Sequence, residues 1–464
     1  MTKKVEIYSR SNCSYCDMAK NFFDSKGIKY DVYNADDPTV FKEMLEILQL
    51  IALPVVTLGA VMGTDVSPLL NAYSHKDTPS FEQVGKYGVG EDSAAEIIAS
   101  DGKILAYSNS DKGSVDFVDI TDPTNPISVA SIDVGGEPTS VAIRRGYAIA
   151  AVNTSESYTN PSGQVVVIDL FDYEIVKQIP LAGQPDSIAI DPNGNFAAVA
   201  IENERNEDIN DEMIPQYPAG NLALINLDGE VDYVDLTGLA DIAPSDPEPE
   251  FVDINDKGEV VVTLQENNHI VIVSSDGTIL NHFSAGAVQL DNIDTVKDGV
   301  YNPVNSRYSR REPDAVTWID SDHFATANEG DYKLKGYQGT HKRGGSRGWT
   351  IFHKDGTVVY ESGASFETAL AEAGYWPDKR AGKKGVEPES ITLGTYGGRR
   401  LIFVGAERAN AVGVYDATDL TAPKLIQILP TGKAPEGLLA LEEEGLFITS
   451  NEKDAVNSIS IFKF

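Results

Sequence analysis

Cysteine is nearly missing from this chain: of 464 residues only Cys13 and Cys16 carry a thiol, both inside one Cys-x-x-Cys. No disulfide framework holds the remainder together, so everything after Cys16 must fold on packing alone. Positive charge is scarce as well. Against 71 Asp and Glu stand 37 Lys and Arg, giving a formal charge of -34 and a pI near 4.4. Such a field repels a phosphate backbone and argues against nucleic acid as a partner. No apolar run reaches the length of a bilayer core. The longest, residues 50–62, is interrupted by Pro54 and Gly59 and reads as a strand region, so no membrane span is expected. The first residues enter a strand pattern directly, without the charged, apolar and small-residue succession of a signal peptide, which reads as a cytoplasmic chain.

What is present begins with a compact α/β pattern. Val5 to Tyr8 alternates as a strand, Arg10, Ser11 and Asn12 lead into Cys13-Ser14-Tyr15-Cys16, and a helical stretch runs from Asp17 to Lys26. Strand, Cys-x-x-Cys, helix is the order of a redox motif, because unpaired N–H groups at a helix start stabilise a thiolate at the first cysteine. Cys13 is then the nucleophile and Cys16 resolves the mixed disulfide. The alternative, half a zinc site, lacks ligands: no further cysteine exists and the six histidines are scattered from His75 onward. A strand at Tyr30 to Tyr33, a helix at about 39–48, a strand at Val55 to Leu58 and a helix near 68–73 complete the pattern.

With Leu53-Pro54 before that third strand and Gly63-Thr64-Asp65 after it, residues 5–73 resemble the glutaredoxin family, through YSRSNCSYC and ALPVVTLG. The resemblance implies a thioredoxin-like fold and thiol–disulfide exchange with glutathione or a dithiol reductant, acting on a disulfide substrate protein. Pro54 stands where the family has a cis-proline opposite the cysteines, and Tyr15, Leu53 and Pro54 would shape the thiol groove. The Gly63-Thr64-Asp65 turn would receive the glutamyl end of glutathione, and Arg10 is a candidate for one of its carboxylates. The resemblance also permits a glutathione-ligated [2Fe-2S] cluster. Ser14 departs from the proline that many members carry.

Residues 76–84 are polar and read as a linker between a domain at 1–75 and one at 85–464. In the latter, helical periodicity almost disappears and short β-rich runs alternate with Gly, Asn, Asp and Pro. A short element opens strand after strand: Pro138-Thr139, Pro185-Asp186, Pro249-Glu250, Pro313-Asp314, Pro388-Glu389 and Pro435-Glu436, with Ala95-Glu96 as a seventh copy. About one hairpin later comes a second polar element, containing Glu202, Glu266, Glu329, Glu407 or Glu452. Seven copies of a strand-hairpin unit predict an all-β, seven-bladed β-propeller.

In a propeller the innermost strand of each blade runs along the central channel, so both elements should lie near its mouth. Glu96, Asp186, Glu250, Asp314, Glu389 and Glu436 then form an acidic ring, with Thr139 the exception, and the second set forms a wider one. Carboxylates converging in this way are relieved by a bound cation, by basic partners or by raised pKa values; Ca²⁺ or another hard divalent cation suits the first ring. Each acid could instead cap local backbone N–H groups. Against this field runs a basic segment that includes Arg310, Arg311, Lys342, Arg343 and Arg347, either gripping a glycan or another anionic ligand or simply neutralising the rim.

Several phrases here, among them DITDPTNP, ANEGD, VEPESI and PEGL before SNE, make residues 80–464 resemble the choice-of-anchor I family of β-propellers. That resemblance implies the fold and a surface or virion association, and it carries an alkaline-phosphatase-like label. Two readings of the propeller remain open: a binding module with a cation-loaded face, and a metal-dependent phosphoester hydrolase. No Ser, Thr or His stands in a recognisable nucleophile motif. On a third reading the propeller delivers the redox head to its client.

Overall fold

The computed structural model of the protein describes residues 5–9, 30–34, 80–210, 213–330 and 344–464. The chain divides into two compact units, Met1–Thr78 and Pro79–Phe464. In the first, the strands Val5–Ser9 and Tyr30–Asn34 pair in parallel, with Val5 opposite Tyr30 and Ser9 opposite Asn34. Parallel neighbours cannot be joined by a tight hairpin; in sequence, Arg10, Cys13, Tyr15 and Cys16 fall between these two strands. Those four residues, and Leu53, Pro54, Gly63, Thr64 and Asp65, lie outside the described residues.

The second unit is built from seven four-stranded antiparallel sheets. Their innermost strands begin at Ile98, Glu137, Pro185, Pro249, Val316, Pro388 and Pro435. Each innermost strand touches the next in sequence, and the seventh touches the first, so the blades close a circle. The order of the sequence repeat is therefore the order of the blades. Second and third strands are buried on both faces and read as continuous apolar runs, as in Val260–Leu264 and His269–Val273. Outermost strands are wetter and more polar, as in Ile127–Asp133.

Three features depart from the sequence reading. The segment expected as a linker to residue 84 is already propeller: the strand Glu82–Tyr87 pairs antiparallel with Ile459–Lys463 and forms the outermost strand of the seventh blade. Ahead of it, Phe81 is only 2% exposed. Its ring packs 4.9 Å from Tyr396 and 5.4 Å from both Phe403 and Phe464. The Gln427 side chain clamps the Phe81 backbone, accepting from its N–H at 2.9 Å and donating to its carbonyl at 2.8 Å. Secondly, an α-helix, Ser365–Glu372, interrupts the all-β pattern between the fifth and sixth blades and buries Phe366, Glu367 and Leu370. Thirdly, a two-stranded ribbon, Ala287–Ile293 with Asn305–Arg310, projects between the fourth and fifth. No helix among the described residues is long and apolar enough to cross a membrane.

Phe81→Ala removes an aromatic side chain from the core between the sixth and seventh blades, beside the strand that completes the seventh, and should destabilise the propeller by about 3–5 kcal/mol. Urea unfolding of the full chain measures it; a loss below about 1 kcal/mol would mean that this core does not depend on this residue.

Candidate functional site

Antiparallel pairing puts the start of each first strand and the end of each second strand at the same end of the blade. The two sequence elements therefore meet at one mouth of the channel. A local irregularity aims the inner acids. In five blades the pairing slips within the first residues of the innermost strand, between Pro138 and Ser140, Pro185 and Ile188, Pro249 and Val252, Pro388 and Ser390, and Pro435 and Leu438. A bulge of this kind re-aims the side chain it carries, and it carries Thr139, Asp186, Glu250, Glu389 and Glu436.

Hydroxyls pin these bulges and join neighbouring blades. Thr263 Oγ1 accepts from Phe251 N at 3.0 Å and donates to Asp314 O at 2.7 Å. Ser187 Oγ accepts from Val252 N at 2.9 Å. Ser450 Oγ accepts from Gly437 N at 2.9 Å and donates across the seam to Glu96 O. A Cβ at Gly437 would stand 2.3 Å from that hydroxyl oxygen, so only glycine fits there.

The channel has a volume of about 370 Å³ and is lined by Thr139, Asp186, Glu250, Asp314, Glu389 and Glu436 among others. The acids do not behave as one uniform ring. Oxygens of Glu202, Glu250 and Glu266 lie within 4.8 Å of one another, and so do those of Asp314, Glu329 and Glu389. Each cluster thus combines inner and outer acids from adjacent blades. Glu96 is held apart by the Ser110 hydroxyl, which donates to it. No hydrogen-bond partner among the described residues reaches Glu250 Oε2 or Glu389 Oε2.

Four of the five outer acids form ion pairs. Arg205 pairs with Glu266, and Lys384 with Glu329 at 2.5 Å; Gln265 also donates to Glu329 at 2.8 Å. Glu407 is met by Arg408 at 2.5 Å and Lys453 at 3.2 Å, and Glu452 by Lys453 at 2.7 Å. The inner acids have burial and like charge instead. Burial, followed by repulsion from neighbouring carboxylates, pushes Asp186 up to about 8. Burial first, partly offset by the Ser110 hydrogen bond, takes Glu96 up to about 7. The same combination of burial and neighbouring acids raises the inner acids Glu250, Asp314, Glu389 and Glu436 well above the ordinary carboxylate range, and with them Glu202 of the outer set, where Arg205 works against the shift. Glu407 rises too, from burial, with Arg408 and Lys453 working against the shift.

The basic segment is put to another use than the one expected. Arg347 is fully buried: it pairs with Glu367 at 3.0 Å and donates to the carbonyls of Asp294 at 2.8 Å and Ala381 at 2.6 Å. Arg311 pairs with Glu361 at 2.7 Å and donates to Ala285 O at 2.6 Å, and Arg310 pairs with the buried Glu312. These three guanidinium groups tie insertions to blades and are turned away from any external anion. Lys342 and Arg343 lie outside the described residues.

Sequence reasoning passed over Arg205 and the buried acids Glu248, Glu312 and Glu387. Glu387 gathers Arg408 at 3.0 Å and Lys384 at 3.4 Å, together with Arg380. A signal was there: each of these three acids directly precedes the proline of the repeat. Glu312 and Glu387 adopt positive φ, +47° and +51°, a strained conformation for a non-glycine residue.

Seven blades, a carboxylate-lined channel and a preceding unit with a parallel strand pair define a modular β-propeller protein. The chain belongs to the choice-of-anchor I domain family, which residues 94–241, 234–343 and 335–420 match in succession, while residues 5–61 match the glutaredoxin family. Among solved structures, virginiamycin B lyase from Staphylococcus aureus is 12% identical with a TM-score of 0.51, over 83% of this chain and 99% of that one. Kuenenia stuttgartiensis hydrazine synthase is 14% identical with a TM-score of 0.52, over 82% and 98%. The WD40 repeats of RRP9 are 9% identical with a TM-score of 0.54, over 83% and 99%. At these identities the likeness is one of fold. No curated protein matches the chain.

The raised acids make stability depend on pH in a definite direction. A carboxyl that holds its proton more tightly in the folded state makes that state the greater proton binder between its unfolded and folded pKa values, so stability falls as pH rises through that window. For Glu96 and Asp186 the window runs from the ordinary 4.5 and 3.8 to about 7 and about 8. Metal-free protein should therefore melt on the order of 5 °C lower at pH 8 than at pH 5, and Ca²⁺ should reverse the difference at pH 8. Thermal scans in chelator and in Ca²⁺ test this; a melting point that climbs steadily to pH 8 in chelator would contradict it.

Proposed function

We propose that this protein joins a thiol–disulfide oxidoreductase unit, working through Cys13 and Cys16, to a propeller that binds divalent cations in its channel mouth and presents that face to a ligand. The glutaredoxin match supports the first part. Cys13 as thiolate attacks a disulfide sulfur, the other sulfur leaves as a thiol, and Cys16 then displaces the reduced product, leaving a Cys13–Cys16 disulfide. Glutathione or a dithiol returns that disulfide to thiols.

The observation that carries the second part is the pair of carboxylate clusters, Glu202 with Glu250 and Glu266, and Asp314 with Glu329 and Glu389. Three carboxylates with oxygens this close, one in each cluster (Glu250 or Glu389) bearing a buried oxygen with no hydrogen-bond partner among the described residues, fit the oxygen-rich donor set of a hard cation such as Ca²⁺. A bound cation would neutralise charge that Arg205 and Lys384 meet only from the outer side. Binding is favoured over phosphoester hydrolysis because Arg310, Arg311 and Arg347, which a phosphate would need, are committed to internal acids.

Two measurements on the full chain test the two parts. Cys13→Ser should abolish reduction of a glutathione mixed disulfide; retained activity would remove the thiol mechanism. Calorimetric titration with Ca²⁺ should show saturable binding that Glu250→Gln with Glu389→Gln weakens at least about tenfold. Absent binding would refute the cation reading, and metal-dependent release of phosphate from p-nitrophenyl phosphate, lost in the same double variant, would replace the binding module with a hydrolase.

A further inference from the structure

A second cavity, of about 340 Å³, opens between the second and third blades. It lies at the opposite ends of the sheets from the acidic mouth. The residues that bound it come from the first turns of the two blades, at Arg144, Arg145 and Gly194, and from the turn at Leu227. Its walls are Ile149, Val165 and Val167 of one blade and Ala197 and Ile225 of the other.

The core beside the gap is aliphatic. Where the fourth and fifth blades meet, Trp318, Phe324 and Phe352 fill the core, and where the sixth and seventh meet, Phe403, Phe447 and Phe462 do so. The core between the second and third blades has only Ala, Val, Ile and Leu among its buried residues. That core supplies no aromatic ring to the wider, outer part of the wedge, whose wall includes the half-buried Phe196. Its rim remains apolar in part, with Leu227 70% and Tyr147 39% exposed.

In a chain of formal charge -34, the rim of this cavity is cationic. Arg144, Arg145 and Lys177 all line it. Backbone carbonyls, and no carboxylate among the described residues, hold their nitrogens: Pro192 O for Arg144, Asn193 O at 2.5 Å for Arg145, and Asp228 O at 2.6 Å for Lys177. The three positive charges are thus fixed in place without being neutralised.

We propose that this cleft binds a small amphipathic anion, an unbranched acyl carboxylate whose chain lies against Ile149, Val167 and Ala197 and whose headgroup meets Arg145 and Lys177. At the packing density of a protein interior the space admits an apolar body of roughly ten carbon atoms. A charge-assisted contact at the rim sets the orientation, and burial of the chain provides the affinity.

Titration calorimetry of the full chain with decanoate, kept below micelle-forming concentrations, tests the proposal. One saturable site per chain is expected, weakened about tenfold or more by Arg145→Gln with Lys177→Gln and lost when Ala197→Phe fills the cavity. The rim variant leaves the core untouched, so the test stands even if Ala197→Phe fails to fold. Heat that does not saturate, equal affinity for decan-1-ol, or unchanged binding in the rim variant would each overturn the assignment. So would co-sedimentation with phosphatidylglycerol vesicles, abolished by the rim variant, in the absence of decanoate binding; that result would give the cleft to a membrane surface.

Discussion

The propeller rests on the pairing of Glu82–Tyr87 with Ile459–Lys463. Each blade buries apolar side chains against both neighbours, so a circle with one open join would bare two blade faces to water, a cost no single blade could absorb. The join is accordingly reinforced at every radius. Near the axis Ser450 bridges Gly437 and Glu96; at the rim the strand pair runs edge to edge; beside it Phe81 and Gln427 lock the incoming chain. These contacts link residues more than 340 positions apart in sequence, which makes closure a property of the whole unit rather than of any repeat.

Closure also creates the electrostatic situation at the mouth. One acid per repeat would be an ordinary surface charge on an isolated blade. Seven first strands brought round one axis turn six of those acids toward each other inside a narrow, poorly solvated space, where charge is expensive. The outer acids Glu266, Glu329, Glu407 and Glu452 escape by pairing with Arg205, Lys384, Arg408 and Lys453, which reach in from loops. Burial and mutual repulsion instead push the inner acids, and Glu202, toward their neutral forms. A cation bound there, as proposed above, would relieve stored repulsion of this kind and so couple its binding to the stability of the circle.

Much of this was legible in the sequence, for identifiable reasons. Repeating Pro-acid elements mark the blades because most blades solve the same turn and five of them the same bulge, and the acid's fixed distance from the proline places it at the mouth. The division of the ring into two clusters was not legible, since it depends on which acids adjacent blades bring within a few ångströms. Nor was the fate of the basic segment: Arg347 and Arg311 read as solvent-facing loop cations, yet their partners Glu367 and Glu361 lie outside the repeat motifs and only the fold shows the pairing. The mistaken linker has a similar cause. The first three residues of that strand, Glu82, Gln83 and Val84, look like the end of a tether until the edge that receives them, nearly four hundred residues later, is known.

That same distance imposes an order of events during synthesis. Glu82–Tyr87 leaves the ribosome early, and its partner strand only after some 370 further residues, which at roughly 5–20 residues per second is on the order of 20 to 75 s. Throughout that interval it is an unpaired edge, and Glu82, Gln83 and Lys86 on it are the polar side chains that discourage pairing with another nascent chain. The two thiols, made earlier still, meet no cysteine in any strand that follows. A reactive cysteine pair can therefore precede a slowly closing circle without cross-linking the chain to which it belongs.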